Sequence, residues 1–180
     1  MSRVRYAMAV DTVRCVGCNA CVLACKAEND LPENGYRDWI VTETSGVFPN
    51  LSQEIRSERC NHCENPPCVD CCPTGASHVA DGGIVLVDEN MCTGCKACVA
   101  SCPYDARYIH PEGYADKCTF CVHRVEKGQS PACCSICPTK ALVFGDLNDP
   151  PSEASQLLAS RTHSSLKPEL GLGPNVFFLS

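Results

Sequence analysis

Cysteine spacing constrains this chain more than any other feature. Four short groups each open C-x2-C and close C-x3-C, at residues 15–25, 60–72, 92–102 and 118–137. Groups one and three are tight, C-x2-C-x2-C-x3-C, in "CVGCNACVLAC" and "CTGCKACVASCP". Groups two and four keep both ends and lengthen only the stretch before the third cysteine, to four and eleven residues. Together they use 16 of the 18 cysteines in 180 residues.

Three chemistries compete for thiols this dense. Disulfides suit small secreted domains, and two-residue gaps repeated within one segment give poor geometry for many separate bridges. Zinc uses paired C-x2-C knuckles, two pairs per ion, but does not require a third and fourth cysteine at x2 and x3 in the same run. The run C-x2-C-x2-C-x3-C-P is the bacterial signature for [4Fe-4S] clusters, in which the fourth cysteine ligates the other cluster of a pair. Four groups therefore imply two ferredoxin-like pairs.

The 44% apolar fraction includes the cysteines, and without them about a third of the chain remains for ordinary core formers. That is thin for a continuous hydrophobic core, and clusters acting as core would make up the difference. Pro73, Pro103 and Pro138 follow three of the fourth cysteines, where a missing N–H stops a helix; Lys26 stands at that place in the first group, so its helix continues through "CVLACKAEN". Gly17 and Gly94 fit points of close backbone approach to a cube, or ordinary turns. Strand-like stretches "RYAMAVD", "DWIVTET", "GIVLVD", "ARYIHP" and "ALVFGD" alternate with short helices over 18–28, 95–102 and 119–127, a repeat of strand, cysteine loop, helix and strand. The expected fold is α+β, two ferredoxin-like double-cubane lobes around four [4Fe-4S] clusters.

The order of the four groups, with "CNHCENPPC", "CPYDARY", "KCTFC" and "FGDLNDP", resembles the four-cluster iron-sulfur subunits of molybdopterin oxidoreductases. It is most like the polysulfide or thiosulfate reductase type, with dimethyl sulfoxide, tetrathionate and arsenate reductases as relatives. The resemblance covers residues 5 to about 150, with a weaker echo in "LKPELGLGPNVFFL". It implies a non-catalytic subunit passing single electrons between a molybdenum or tungsten bis-pterin catalytic subunit and a quinone-reactive membrane subunit. It also implies that groups one and four pair, as do two and three. Cluster A then takes Cys15, Cys18, Cys21 and Cys137; cluster B takes Cys118, Cys121, Cys133 and Cys25. Cluster C takes Cys60, Cys63, Cys68 and Cys102; cluster D takes Cys92, Cys95, Cys98 and Cys72. Some relatives replace one ligand by Trp and hold a three-iron cluster; here all sixteen places are Cys. The first lobe comprises 1–48 and 111–148, the second is inserted at 49–110, and 149–180 is a tail with a short amphipathic helix and a final apolar strand, docking on the body or on a neighbouring subunit.

Other readings are narrower. Cys71 and Cys134 read as small apolar residues beside ligands. His62 reads as a loop cap, with a hydrogen bond to sulfide as its rival. His123, Arg124 and Lys127 read as a solvated or subunit-facing helix surface. "GLGPNV" lacks the third glycine of a nucleotide loop, and C-x3-C-x2-C of radical enzymes is absent because Glu28, Gly75, Asp105 and Lys140 stand at the third place. A formal charge of -6 excludes a basic nucleic-acid footprint. No run of 18 apolar residues spans a membrane, and the start "MSRVRYAMAVD" carries no export address; the resemblance implies export with a signal-bearing catalytic partner to the periplasmic face, the cytoplasmic face being the alternative. Conduits of formate dehydrogenases or hydrogenases, and a free-standing polyferredoxin, are the rival functions.

Overall fold

The structure, a computed structural model, describes residues 4–180. In chain order its elements are β1 (Tyr6–Asp11), α1 (Ala20–Glu28), β2 (Asp38–Val47), β3 (Asn50–Arg59), α2 (Pro67–Asp70), β4 (Ser77–Val79), β5 (Val85–Val87), α3 (Ala97–Ala100), β6 (Tyr108–Ile109), β7 (Ala115–Asp116), α4 (Val122–Val125), α5 (Ala132–Ile136), β8 (Leu142–Asp146), α6 (Glu153–Ser160), β9 (His163–Ser164) and β10 (Val176–Leu179). The class is α+β, as the cysteine repeat implies.

The sequence "AMAV" is apolar without alternation, the pattern of a strand buried on both faces, and Ala7, Met8, Ala9 and Val10 are 0% exposed. β1 accordingly lies inside the main sheet, antiparallel to β8 on one side and parallel to β10 on the other, in the order β8-β1-β10-β9. One face of this sheet packs α6 through Ala9, Val143, Ala154 and Leu179. The other faces a core in which Met8, Val10, Ile84, Phe120, Leu142 and Phe178 mix with Cys21, Cys60, Cys63, Cys118, Cys133 and Cys137. A smaller core joins Cys68, Val85, Cys98 and Ala115. Cysteine thus takes up core positions that aliphatic residues fill in ordinary domains.

One feature differs from the sequence reading and two refine it. The boundary between residues 48 and 49 falls in the turn of a hairpin: β2 pairs with β3 from Asp38↔Arg59 to Val47↔Asn50, so β3 belongs with the first half of the chain rather than with an inserted lobe. Charged residues such as Glu54, Arg56 and Glu58 mask this strand in the sequence, but they ion-pair along it, Arg56 bridging Glu43, Glu54 and Glu58. Of the two placements expected for the final apolar strand, the body is the one observed: Val176, Phe178 and Leu179 are buried beside β1, and Asn175 is clamped to the Cys60 loop through His62 O at 2.6 Å and Asn61 O at 2.8 Å. His123 is exposed and Arg124 half-buried, and both reach Glu28, each at 2.8 Å, tying α4 to α1. α1 itself runs on past Cys25, and Lys26 donates from Nζ to the carbonyls of Pro32, Glu33 and Gly35 while lying over the Tyr36 ring.

Candidate cluster-binding sites

The third residue of each C-x2-C loop lies in the left-handed region. Gly17 (φ 66°) and Gly94 (φ 64°) occupy it in groups one and three, His62 (φ 43°) and Phe120 (φ 51°) in groups two and four. This turn lets the chain curl so that successive side chains close on one centre, and successive amides in such turns make concavities that suit anions. Amides also donate directly to thiols: Ser77 N to Cys72 Sγ at 3.4 Å, Ala115 N to Cys92 Sγ at 3.3 Å, Phe120 N to Cys118 Sγ at 3.4 Å and Ala141 N to Cys137 Sγ at 3.3 Å. In the repeated sequence C-P-T, Thr74 and Thr139 add hydroxyl contacts to Cys72 and Cys137, both at 3.7 Å. Burial pushes these two thiols up, but their hydrogen bonds outweigh it and leave both below the usual range.

The structure gathers the sixteen motif cysteines into four sets. Cys15, Cys18 and Cys21 share a hollow with Cys137, at the end of α5. Cys118, Cys121 and Cys133 share another with Cys25, carried on α1. Cys92, Cys95 and Cys98 share a third with Cys72, just past α2. The three hollows contain about 320, 310 and 330 Å³ of atom-free space, part of it open to solvent, so three different loops leave the same room. Around Cys63 lie Cys60, Cys68 and Cys102; burial first, then these neighbours, push its thiol up to about 12. Among the described residues no three His, Cys, Asp or Glu side chains are placed to hold a single metal ion. The thiols line walls instead, as ligands of a cluster must.

Electrostatics agree with the donor set. Burial raises Cys118 to about 12, and raises Cys25 and Cys121 as well, so these thiols are neutral unless cations offset the cost of burying thiolates. Iron would supply that charge, and loading would release the protons. Four buried donor atoms near the thiols have no protein acceptor: Arg59 Nε, Arg107 Nε and Nη1, and Asn61 Nδ2. A buried donor left unpaired costs about 1–3 kcal/mol, and cluster sulfides are acceptors of the right kind. The residues present therefore fit [4Fe-4S] clusters.

His62 is fully buried, its Nδ1 accepts from the Val85 amide at 3.1 Å, and its Nε2 has no protein partner. It is therefore more than a loop cap, because its ring stacks on Phe120 with centroids 3.8 Å apart. The two rings join the loop of Cys60 and Cys63 to the loop of Cys118 and Cys121. Arg59, Arg107 and Lys117, all buried, are functional candidates that the cysteine pattern alone did not single out. A partial signal existed: a basic residue directly precedes the first cysteine of three of the four groups, Arg14, Arg59 and Lys117, but nothing of the kind marks Arg107. Cys71 lies outside the four sets with its Sγ 3.3 Å from Ser101 Oγ, and Cys134 is buried in α5; both are free thiols.

Comparison with known proteins points the same way. A family model described as a 4Fe-4S dicluster domain matches residues 51–147, and a second of the same description matches 14–77. A tetrathionate reductase subunit of Salmonella typhimurium is 45% identical over 98% of this chain and 73% of its own length. A polysulfide reductase chain of Wolinella succinogenes is 43% identical over 97% of this chain and 94% of its own. Protein NrfC of Escherichia coli is 46% identical, covering 97% and 80%.

Proposed function

This protein belongs to the family of iron-sulfur reductase subunits that share the 4Fe-4S dicluster domain, and from that premise we propose how it carries electrons. It holds four [4Fe-4S] clusters in two ferredoxin-like lobes, ligated by the crossed sets A to D, three thiolates from one loop and the fourth from the partner group. Such clusters supply one-electron carriers whose potentials follow charge, hydrogen bonds and burial. The chain's own residues set the order. Cys25 and Cys137 cross between A and B, Cys72 and Cys102 cross between C and D, and the His62–Phe120 stack with buried Lys117 joins B to C. Electrons then pass along a row A–B–C–D.

One observation carries this reading: the row is closed in the middle and open at its ends. Every cysteine of set B is buried, as are Cys60, Cys63 and Cys68 of set C, whereas Cys18 of set A and Cys95 of set D are exposed. Exposed apolar side chains lie in the segments that carry both ends, Val16 in the loop of Cys18, Leu23 in the helix that follows it and Met91 directly before the Cys92 loop. Such ends suit two different partners: a molybdenum or tungsten bis-pterin catalytic subunit and a quinone-reactive membrane subunit, in a complex of the polysulfide or thiosulfate reductase type. No helix among the described residues is long and apolar enough to cross a membrane, in keeping with a peripheral subunit; the periplasmic face, by export with the catalytic partner, is the proposed location. The chain itself contributes conduction rather than a substrate site. Elemental analysis of the complex purified anaerobically from its host tests this. Molybdenum or tungsten with at least sixteen irons per copy of this chain supports it; nickel points to a hydrogenase, iron alone to a free polyferredoxin, and zinc without iron overturns it.

A further inference from the structure

Each half of the row contains one buried arginine between its two thiol sets. In the first, Arg59 is 1% exposed and donates from Nη1 to Cys133 Sγ of set B at 3.1 Å. Its Nη2 reaches Ser57 Oγ, which lies 3.5 Å from Cys21 Sγ of set A. In the second, Arg107 is 5% exposed and donates from Nη2 to Cys68 Sγ of set C at 3.0 Å and to Ser77 Oγ at 2.9 Å. The amide of Ser77 donates to Cys72 Sγ of set D at 3.4 Å. An arginine and a serine therefore link the two sets in each half, although they come from unrelated stretches of sequence.

The two bridges differ in charge. Arg59 is paired with Asp38, 2% exposed, at 3.3 Å, so its field on the neighbouring thiols is largely cancelled. Arg107 has no carboxylate partner among the described residues, and guanidinium remains protonated at any physiological pH. A buried unpaired guanidinium is too costly to keep without a counter-anion. The anionic groups placed to serve are the cysteines of sets C and D.

Building on the four-cluster reading, we propose that Arg107 is the fixed counter-cation of clusters C and D and holds both at higher reduction potential, while in the other half Asp38 cancels Arg59. The asymmetry grades the row. A positive charge favours the form that has gained an electron, so neutralising Arg107 lowers both potentials, whereas neutralising Arg59 and Asp38 together removes no net charge.

The test is a redox titration of the anaerobically purified full chain followed by paramagnetic resonance, with iron counted in every sample. Cys63→Ser and Cys95→Ser variants identify the signals of C and D. Fewer than four cubane signals in the unaltered chain would refute the four-cluster reading itself, before any arginine variant is compared. Given four, Arg107→Met is expected to make reduction of C and D at least tenfold less favourable, 59 mV for one electron, while the paired variant Asp38→Asn with Arg59→Met, which leaves net charge unchanged, moves A and B less than threefold. Arg107→Lys, which keeps the charge, stays within threefold of the unaltered chain. Sixteen irons in Arg107→Met with all potentials within threefold, or an equally large shift in the paired Asp38→Asn, Arg59→Met variant, overturns the proposal. Should Arg107→Met lose iron, Arg107→Gln and Arg107→Lys decide: a tenfold fall confined to the Gln variant supports the proposal, and equal shifts in both overturn it.

Discussion

Phe120→Ala and Phe120→Gly make opposite demands on the junction between the two halves. Phe120 is 1% exposed, stacks on His62 at 3.8 Å and meets Phe144 edge-on at 5.2 Å. Truncation of a buried Phe costs about 3–5 kcal/mol, and each ring pair lost contributes about 0.5–1.5 kcal/mol of that. Yet Phe120 sits at φ 51°, where any side chain is strained and Gly is not. Alanine loses the rings and keeps the strain; glycine loses the rings and releases about 1 kcal/mol of strain. The smaller residue is therefore the less damaging one, the reverse of what cavity size alone predicts. The assay is denaturant-driven loss of the visible cluster absorbance under anaerobic conditions at a fixed incubation time. The expected order of midpoints is unaltered chain, Phe120→Gly, Phe120→Ala. An alanine variant as resistant as the glycine variant refutes the strain argument.

Two further outcomes follow from the loops. Gly94 combines φ 64° with a site where a Cβ would overlap the Gly113 carbonyl oxygen, so Gly94→Ala strains the backbone and displaces the loop; the cluster of the Cys92 loop is expected to be lost first on air exposure, as followed by its paramagnetic signal, with the other three retained longer. Because cysteines line both the main and the second core, removing iron with a chelator is expected to open the cysteine loops to protease within a time that the loaded chain resists digestion; equal resistance of the two forms would show that the clusters are not core.

Much of the site could be read from spacing, because cluster ligation is local: three of four ligands come from one loop, and C-x2-C fixes its curl. β1 and β8 were equally legible, β1 as a run of buried apolar residues and β8 from the apolar start of Leu142, Val143 and Phe144. What escaped was non-local or polar. β3 hides under Glu54, Arg56 and Glu58, whose charges pair with one another along the strand and, through Glu43, across the hairpin rather than being buried. β4 and β7 are only three and two residues long, too short to show a period. His62 and Phe120 take a place that glycine holds in the other two loops, and nothing in one sequence says that two such residues meet. Arg107 lies thirty residues from Ser77 and thirty-nine from Cys68, contacts that only the fold brings about.

The crossed ligation is the centre of the account, and Cys102→Ser probes it most directly. The paramagnetic difference spectrum of this variant, taken anaerobically, is compared with those of Cys63→Ser and Cys95→Ser. Cys102 follows the Cys92 loop in sequence but lies beside Cys63 in the fold, so its spectrum is expected to match Cys63→Ser. A match to Cys95→Ser would mean that each loop closes its own cluster, and the continuous row from Cys18 to Cys95 would fail with it.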